Sequence, residues 1–405
     1  MKLFVTLFSI DDIRPEYDGV ELRAEHLPDL DLHALRAATA KPIILTYRGS
    51  RVPDVQRALN AGIDFVDVEW HDGVEIAAPE HTVLSHHDYE GVRDVEAIFA
   101  KMKARGCAHT KIAATPLNFA DNERLLRLLP GTVIGMGERG LYSRILAPFL
   151  GSELVFVAAN TIAAPGQLTL ERALEIYSRV PQRAERVFAI VGNPAGHSLS
   201  PTIHNRLFRE KGVNGAYTIA SIESFVEITD AFLRGEPCGL SVTAPFKEDA
   251  FNFAREQGAD IGANAWRARA VNTLVNLNGR LIADNTDVDG FKTLIPKAKK
   301  AAVVGTGATA RAALAALEDI PVVLFNRTLR EGVRPLDELQ HFDGDLVINT
   351  LPGNVALPMP PCDTYIEAAY GGAARDVDAR VRIGGLELLH AQAVRQHELF
   401  MKVFE

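Results

Sequence analysis

Cysteine is scarce in this chain. Cys107, Cys238 and Cys362 are the only three in 405 residues, and none lies within metal-ligand spacing of another. That excludes a disulfide scaffold and fits a reducing cytoplasm. Long apolar runs are missing too. The opening MKLFVTLFSI meets Asp11 and Asp12 at once, too early for a signal peptide. No later stretch reaches the roughly 20 residues of a membrane-spanning helix. Basic clusters are absent: 43 Lys and Arg against 52 Asp and Glu leave a net charge of −9, which argues against nucleic acid or a membrane surface as partner. What remains is an ordinary globular composition and a length that suits two or three domains.

Short apolar, β-branched runs recur through the first half. They are Leu3–Phe8, Gly19–Arg23, Pro42–Arg48, Phe65–Trp70, Thr82–His87, His109–Ala114, Thr132–Gly137 and Leu154–Ala159. Helical segments, Val55–Ala61, Val92–Arg105, Asn122–Leu129 and Leu168–Val180, fill most of the gaps. Strands alternating with helices predict a parallel sheet, and eight of them predict a closed (β/α)8 barrel. One gap is anomalous. Ile10 to Asp18 is too short for a crossover helix, so the barrel lacks its first helix. The first strand is apolar on both alternating sets, Leu3, Val5 and Leu7 on one and Phe4 and Phe8 on the other. One set faces outward without a helix over it. An apolar groove beside the first two strands is therefore expected, and two bare phenylalanines would forfeit roughly 3–6 kcal/mol of burial. The second half of the chain, or another copy of the chain in a homo-oligomer, is expected to cover it.

Polar residues gather at the strand ends, where such barrels build their sites: Glu21 and Arg23, Arg48, Glu69, and His87. Lys111 sits inside the sixth strand, on the same face as His109 and Ala113. Burial in a barrel lumen lowers a lysine pKa, and the neutral amine attacks carbonyls to form a Schiff base.

The runs Val20-Glu21-Leu22-Arg23, Leu45-Thr46-Tyr47-Arg48, Ser85-His86-His87-Asp88-Tyr89, Thr110-Lys111-Ile112-Ala113, Tyr142-Ser143-Arg144 and Ala164-Pro165-Gly166-Gln167 occur in that order. Together they resemble the signature of type I 3-dehydroquinate dehydratases. The resemblance covers residues 1 to about 183. It implies that Lys111 forms an imine with the substrate ketone and that His87 moves the proton. It also implies that Arg144 holds the carboxylate, while Glu21, Arg23, Arg48 and Gln167 bind hydroxyls and order the site. The choice of His87 over His86 follows the motif; adjacent strand residues face opposite sides, so one of them enters the lumen. The chain departs from the family at Ala163, where a serine is usual. It departs again after Arg48, where Gly49-Ser50-Arg51-Val52-Pro53 offers no glutamate to orient the histidine.

The second half opens after Pro181-Gln182-Arg183 with a new strand, Val187–Val191. Its clearest local motif is Ala301-Ala302-Val303-Val304-Gly305-Thr306-Gly307-Ala308-Thr309-Ala310, a strand, a glycine turn and a helix opening. The turn lets the backbone approach a pyrophosphate at the helix N-terminus. About 20 residues on, the next strand, Val322–Phe325, ends in Asn326-Arg327-Thr328 rather than in an acid. An arginine there suits the 2′-phosphate of NADP.

Gly192-Asn193-Pro194-Ala195-Gly196-His197-Ser198-Leu199-Ser200-Pro201, Ser241-Val242-Thr243-Ala244-Pro245-Phe246-Lys247-Glu248, Ala270-Val271-Asn272-Thr273 and Asn285-Thr286-Asp287 lead up to that motif. With Asn326-Arg327-Thr328 and the late Gly385…Gln392-Ala393 they resemble shikimate dehydrogenase, from about residue 187 to the end. The resemblance implies a catalytic pair, Lys247 and Asp287, and a substrate site of Ser198, Ser200, Thr243, Asn272 and Gln392. Tyr370, Gly385 and Leu388 are expected at the nicotinamide and substrate cleft. Gly305, Gly307 and Ala310, then Asn326, Arg327, Thr328 and Arg330, are expected to hold the nucleotide. Taken alone, Ser198 and Ser200 read as helix caps. The expected organisation is a dehydratase barrel over 1–184, a substrate domain over 185–288 joined by the C-terminal helix of 386–405, and an NADP-binding Rossmann domain over 289–385. The partners expected are small molecules: 3-dehydroquinate, 3-dehydroshikimate and shikimate. Two other readings compete, a quinate dehydrogenase using NAD, which Asn326-Arg327 opposes, and a binding protein with dead sites, which the retained Lys111, His87, Lys247 and Asp287 oppose.

Overall fold

The computed structural model describes residues 2–27, 29–48, 54–178, 183–355, 357–370 and 376–405. They form two compact units. The first holds Met1–Ala189 and Pro194–Ile228, the second Ile190–Asn193 and Thr229–Glu405.

In the first unit, eight parallel strands alternate with α-helices except after the first and the fourth strand, where only a short 3-10 turn intervenes. They are β1 (Lys2–Leu7), β2 (Val20–Arg23), α1 (Leu32–Ala38), β3 (Ile43–Thr46), α2 (Val55–Asn60), β4 (Phe65–Glu69), β5 (Thr82–Asp88), α3 (Val95–Lys103), β6 (His109–Ala114), α4 (Phe119–Leu126), β7 (Thr132–Gly135), α5 (Leu141–Leu150), β8 (Leu154–Ala158) and α6 (Leu170–Tyr177). The end of the expected helix at Val180 lies outside the described residues. Between β1 and β2 there is only a short 3-10 turn, Ile10–Asp12, so the first helix is missing as the short gap requires. The strand order β7-β6-β5-β4-β3-β2-β1-β8 makes a nearly closed barrel in which β7 and β8 share no ladder. Arg144 spans that seam. Its Nε donates to the Gly135 carbonyl at 2.8 Å and its Nη2 to the Pro165 carbonyl at 3.3 Å.

The outward set on β1 is the reverse of the one expected to be bare. Phe4 faces the lumen, packed with Ile44, Val83, Leu154 and Phe156 as an apolar plug. Gly19 is required there, because a Cβ at that position would stand 2.7 Å from the Phe4 ring. Leu3, Val5 and Leu7 take the other face and are buried all the same. Phe8 rests against the His26 ring at 5.2 Å. No bare phenylalanine pair remains on β1.

The rest of the first unit comprises the start of β9 (Arg186–Gly192), α7 (Ser200–Glu210), β10 (Gly215–Ser221) and the start of α8 (Val226–Leu233). These elements pack on the barrel through α5 against β10 and α6 against α7. Helix α5 accepts this because it is buried on every side, with each residue from Leu141 to Phe149 buried, Ser143 and Arg144 included.

The second unit contains two sheets. One includes β11 (Gly239–Val242), β12 (Asp260–Ile261), β13 (Thr273–Leu277) and β14 (Arg280–Asp284), in the order β11-β13-β14-β12, with α9 (Lys247–Glu256), α10 (Ala263–Ala268) and α11 (Thr286–Leu294). The other is built from β15 (Ala301–Val304), α12 (Ala308–Ala316), β16 (Val322–Phe325), β17 (Val333–Arg334), β18 (Leu346–Asn349), β19 (Cys362–Glu367) and β20 (Ala379–Ile383). Its order, β17-β16-β15-β18-β19-β20, is all parallel and reverses between β15 and β18, the switch point at which such sheets bind dinucleotides. The last helix, α13 (Gly385–Met401), packs on α11.

Candidate active sites

The barrel lumen is layered. Above the apolar plug the inward positions turn polar, and period two brings Thr6, Glu21, Thr46, Asp67, Ser85 and Lys111 to one level. All seven barrel residues singled out in the sequence, Glu21, Arg23, Arg48, His87, Lys111, Arg144 and Gln167, line one cavity at the strands' C-terminal ends. His87 lines it too, whereas His86 does not.

Lys111 is buried, its Nζ 4.3 Å from the centre of the Phe156 ring. It is not a lone amine in an apolar lumen. Nζ donates to Asp67 Oδ2 at 3.0 Å and lies 3.9 Å from Glu21 Oε1. Asp67 also receives Arg48 through both guanidinium nitrogens, at 2.8 and 3.0 Å, and the Ser85 hydroxyl at 2.6 Å. Burial alone would raise its pKa, but Arg48 and Lys111 outweigh that and hold Asp67 far below the usual carboxylate range. Glu21 accepts from Thr6 at 2.7 Å and from Thr46 at 3.0 Å. Gln167 donates to Thr6 at 3.0 Å and accepts from the Ala163 amide at 2.8 Å, which fixes the loop over the cavity. Arg23 is turned to Glu25 at 2.7 Å.

His87 stands between an acid and a base. Its Nδ1 is 2.6 Å from Glu69 Oε2, and its Nε2 is 3.2 Å from Arg48 Nη2. Segment 49–53, where the sequence shows no orienting acid, lies outside the described residues. The acid comes instead from the end of β4. Burial lowers the His87 pKa, working against the Glu69 hydrogen bond that raises it. Burial would lift Glu69, but its hydrogen bond to His87 holds it below the ordinary value. A charged arginine can only donate, so Nε2 is the acceptor and the proton sits on Nδ1, facing Glu69.

Arg144 faces carbonyl oxygens, and among the described residues no carboxylate lies within ion-pair distance of it. Burial pushes its pKa down to about 10. A buried cation without a counter-ion is a ready site for an anion.

In the second unit, Lys247 at the start of α9 donates to Asp287 Oδ2 at 2.6 Å. Asn272 Nδ2 donates to the other oxygen, Oδ1, at 2.9 Å and to Thr286 at 3.1 Å. Thr286 in turn donates to Gln392 Oε1 at 3.1 Å. Four of the residues expected in the second site, Lys247, Asp287, Asn272 and Gln392, thus join one network. Gln396 extends it behind, bonded to the Asn272 carbonyl, Thr273 and Ser241. Sequence reading did not name Gln396; its spacing of one helical turn from Gln392 was the available signal. Thr243 is half-buried, with its amide on the Val191 carbonyl at 2.9 Å. Ser198 and Ser200 belong to the first unit and are buried. Ser198 Oγ accepts from the Ser200 amide at 3.2 Å as α7 begins, and no side chain caps that helix at Leu199.

At the switch point, Gly305 adopts φ +110°, a left-handed conformation that suits glycine, and a Cβ there would lie 2.5 Å from Thr350 Oγ1. Gly307 precedes α12 with open space about its Cα, and Ala310 is buried in the helix. Asn326 donates to Thr306 at 3.1 Å and to the Thr328 carbonyl at 3.3 Å. Thr328, Arg327 and Arg330 are exposed. Gly385 lies against the Ala369–Tyr370 backbone, where a Cβ would come within 2.4 Å. Leu388 is buried in the apolar cluster with Val288 and Phe291.

Residues 6–183 match the type I 3-dehydroquinase family, and residues 190–274 match the shikimate dehydrogenase substrate binding domain. The bifunctional 3-dehydroquinate dehydratase/shikimate dehydrogenase of Arabidopsis thaliana is 29% identical over 310 residues, 67% of this chain and 51% of that protein. The shikimate biosynthesis protein AroDE of Chlamydia pneumoniae is 29% identical over 451 residues, 96% of this chain and 91% of that one. The chain thus spans about half the length of the first relative and nine-tenths of the second. The solved dehydroquinate dehydratase and shikimate dehydrogenase of S. pombe AroM aligns over 100% of this chain and 98% of that one, with 22% identity and a TM-score of 0.41.

Proposed function

We propose that this chain, a type I 3-dehydroquinase domain followed by a shikimate dehydrogenase, carries out two successive steps of the shikimate pathway. It dehydrates 3-dehydroquinate to 3-dehydroshikimate and then reduces that ketone to shikimate with NADPH. We assign 1–184 to the first activity, 185–288 with 386–405 to binding the second substrate, and 289–385 to the nucleotide. The observation that carries the reading is the single cavity that gathers Lys111, His87, Arg144 and their partners.

The buried, uncompensated Arg144 takes the substrate carboxylate. That places the ring over Lys111, whose Nζ gives a proton to the neutral His87 and adds to the ketone carbon; the former carbonyl oxygen takes up protons and leaves as water as the imine forms. The imine withdraws electrons from the neighbouring carbon. His87 is neutral at pH 7 because burial lowers its pKa, so Nε2 takes a proton from that carbon once Arg48 turns toward the substrate. The same proton leaves with the departing hydroxyl, and water then frees Lys111. Asp67 and Glu21 hold the Lys111 Nζ in place between cycles.

In the second step the nucleotide, when bound, supplies hydride to the ketone. The residues present suit it: Gly305, Gly307 and Ala310 offer a close backbone approach at the α12 N-terminus, and Arg327 and Arg330 are free to meet a 2′-phosphate. We assign Tyr370, Gly385 and Leu388 to the nicotinamide and substrate cleft. Lys247 supplies the proton for the developing alkoxide, while Asp287 keeps it charged and aimed. Ser198, Ser200, Thr243, Asn272 and Gln392 bind the ring hydroxyls and carboxylate. The three cysteines are all free, which suits a reducing compartment such as the cytoplasm.

Borohydride added with 3-dehydroquinate tests the first step. The expected result is inactivation with added mass on a peptide containing Lys111. Label on another residue, or full dehydratase activity without label, contradicts the assignment.

A further inference from the structure

We propose that Glu138, a residue of the barrel, positions the substrate loop of the dehydrogenase half. The proposal rests on reading Ser198 and Ser200 as ligands of the second substrate. Glu138 lies on the turn from β7 into α5, shortly after Met136, which lines the barrel cavity. Glu138 itself points away from that cavity. Its Oε1 accepts from the amides of Ala195 and Gly196, each at 3.0 Å, and from the Ser221 hydroxyl at 3.1 Å. Two successive amides converging on one oxygen form a concavity suited to an anion. The fit is close: a Cβ on Gly196 would stand 3.2 Å from the same Oε1 and 3.3 Å from Leu141 Cδ1.

The loop is held on both flanks as well. Arg172 on α6 hydrogen-bonds the Ser198 carbonyl and the Thr202 hydroxyl, the latter at 2.6 Å. Arg139 pairs with Glu223 at 2.7 Å and lies 3.7 Å from Glu227. Residues 195–199 have little regular structure of their own; a turn joins the Ser198 amide to the Ala195 carbonyl at 3.0 Å. Barrel side chains thus contribute several of the contacts that fix the loop. A loop held in its binding shape lowers the ordering cost of the ligand and acts on affinity. Glu138 touches neither reacting centre, so its effect belongs in KM and not in kcat.

The test uses the full chain with Glu138→Ala and Glu138→Gln. At saturating NADP the alanine variant should raise the KM for shikimate about five- to tenfold, the size expected for losing hydrogen bonds to a solvent-exposed carboxylate. Its kcat should stay within about twofold. Glutamine keeps an acceptor oxygen and should fall between the two. Both dehydratase constants should match the parent, since Glu138 does not line that cavity. An unchanged KM in Glu138→Ala overturns the proposal. So does an equal loss in both activities with a lower melting temperature, which would mark general damage. A parent chain that does not oxidise shikimate at all would instead remove the functional reading beneath it.

Discussion

His87 owes its form to its two neighbours. Glu69 accepts the hydrogen bond of Nδ1–H and Arg48 donates to Nε2, so the ring is presented as a neutral base. Because burial lowers its pKa, protonation sets in only below the ordinary 6.5. The acid limb of the dehydratase kcat/KM is thus expected below pH 6.5. The Glu69 bond is what holds the histidine pKa up, while Arg48 and Lys111 push it down. Glu69→Gln should therefore move that limb to still lower pH and cut the plateau about a hundredfold, the scale of one positioned general base. A variant with the parent's limb and plateau would remove Glu69 from the mechanism. Much of this site was legible in the sequence, since Lys111 and Arg48 follow from their places on the strands, while His87 was chosen over His86 by the motif. Asp67 was legible too, at the parity of Phe65 and Glu69, yet a charge in mid-strand draws less notice than one at a strand end. Glu69 was visible but its role was not, because pairing across β4 and β5 sets it and sequence distance does not.

At the scale of elements, β1 and α5 show what periodicity can and cannot tell. A strand apolar on both faces declares burial on both, but not which set points inward; Phe4 was assigned to the wrong side. Helix α5 is buried all round, its Ser143 and Arg144 included, and contains Pro148, so no exposed polar face announces it. Its burial is completed by β10, and that of α6 by α7. Within the first unit, residues 194–228 of the dehydrogenase half cover the barrel over these two helices. Residues 1–184 expressed alone should leave the outer side of α5 bare. The expected outcome is association, or a melting temperature lower by at least roughly 5 °C than in the full chain, equivalent to a loss of one or two kcal/mol. A monomeric fragment with full-length stability and full dehydratase activity would contradict this.

For the molecule as a whole, the two activities proposed above are chemically consecutive: the ketone that the first would release is the one that the second would reduce. The compact units do not follow the two families. Residues 194–228, with Ser198 and Ser200, are packed into the barrel's unit, and that is why the fusion has a structural reason besides shared supply. The central claim is that one chain performs both steps in order. The most direct measurement mixes the purified chain with 3-dehydroquinate and NADPH and follows nucleotide oxidation alongside shikimate. The account predicts one shikimate per NADPH consumed, much slower turnover with NADH, and a Lys111→Ala variant that is silent with 3-dehydroquinate but active with 3-dehydroshikimate. NADPH oxidation from 3-dehydroquinate that survives Lys111→Ala, or no oxidation with 3-dehydroshikimate, would contradict it.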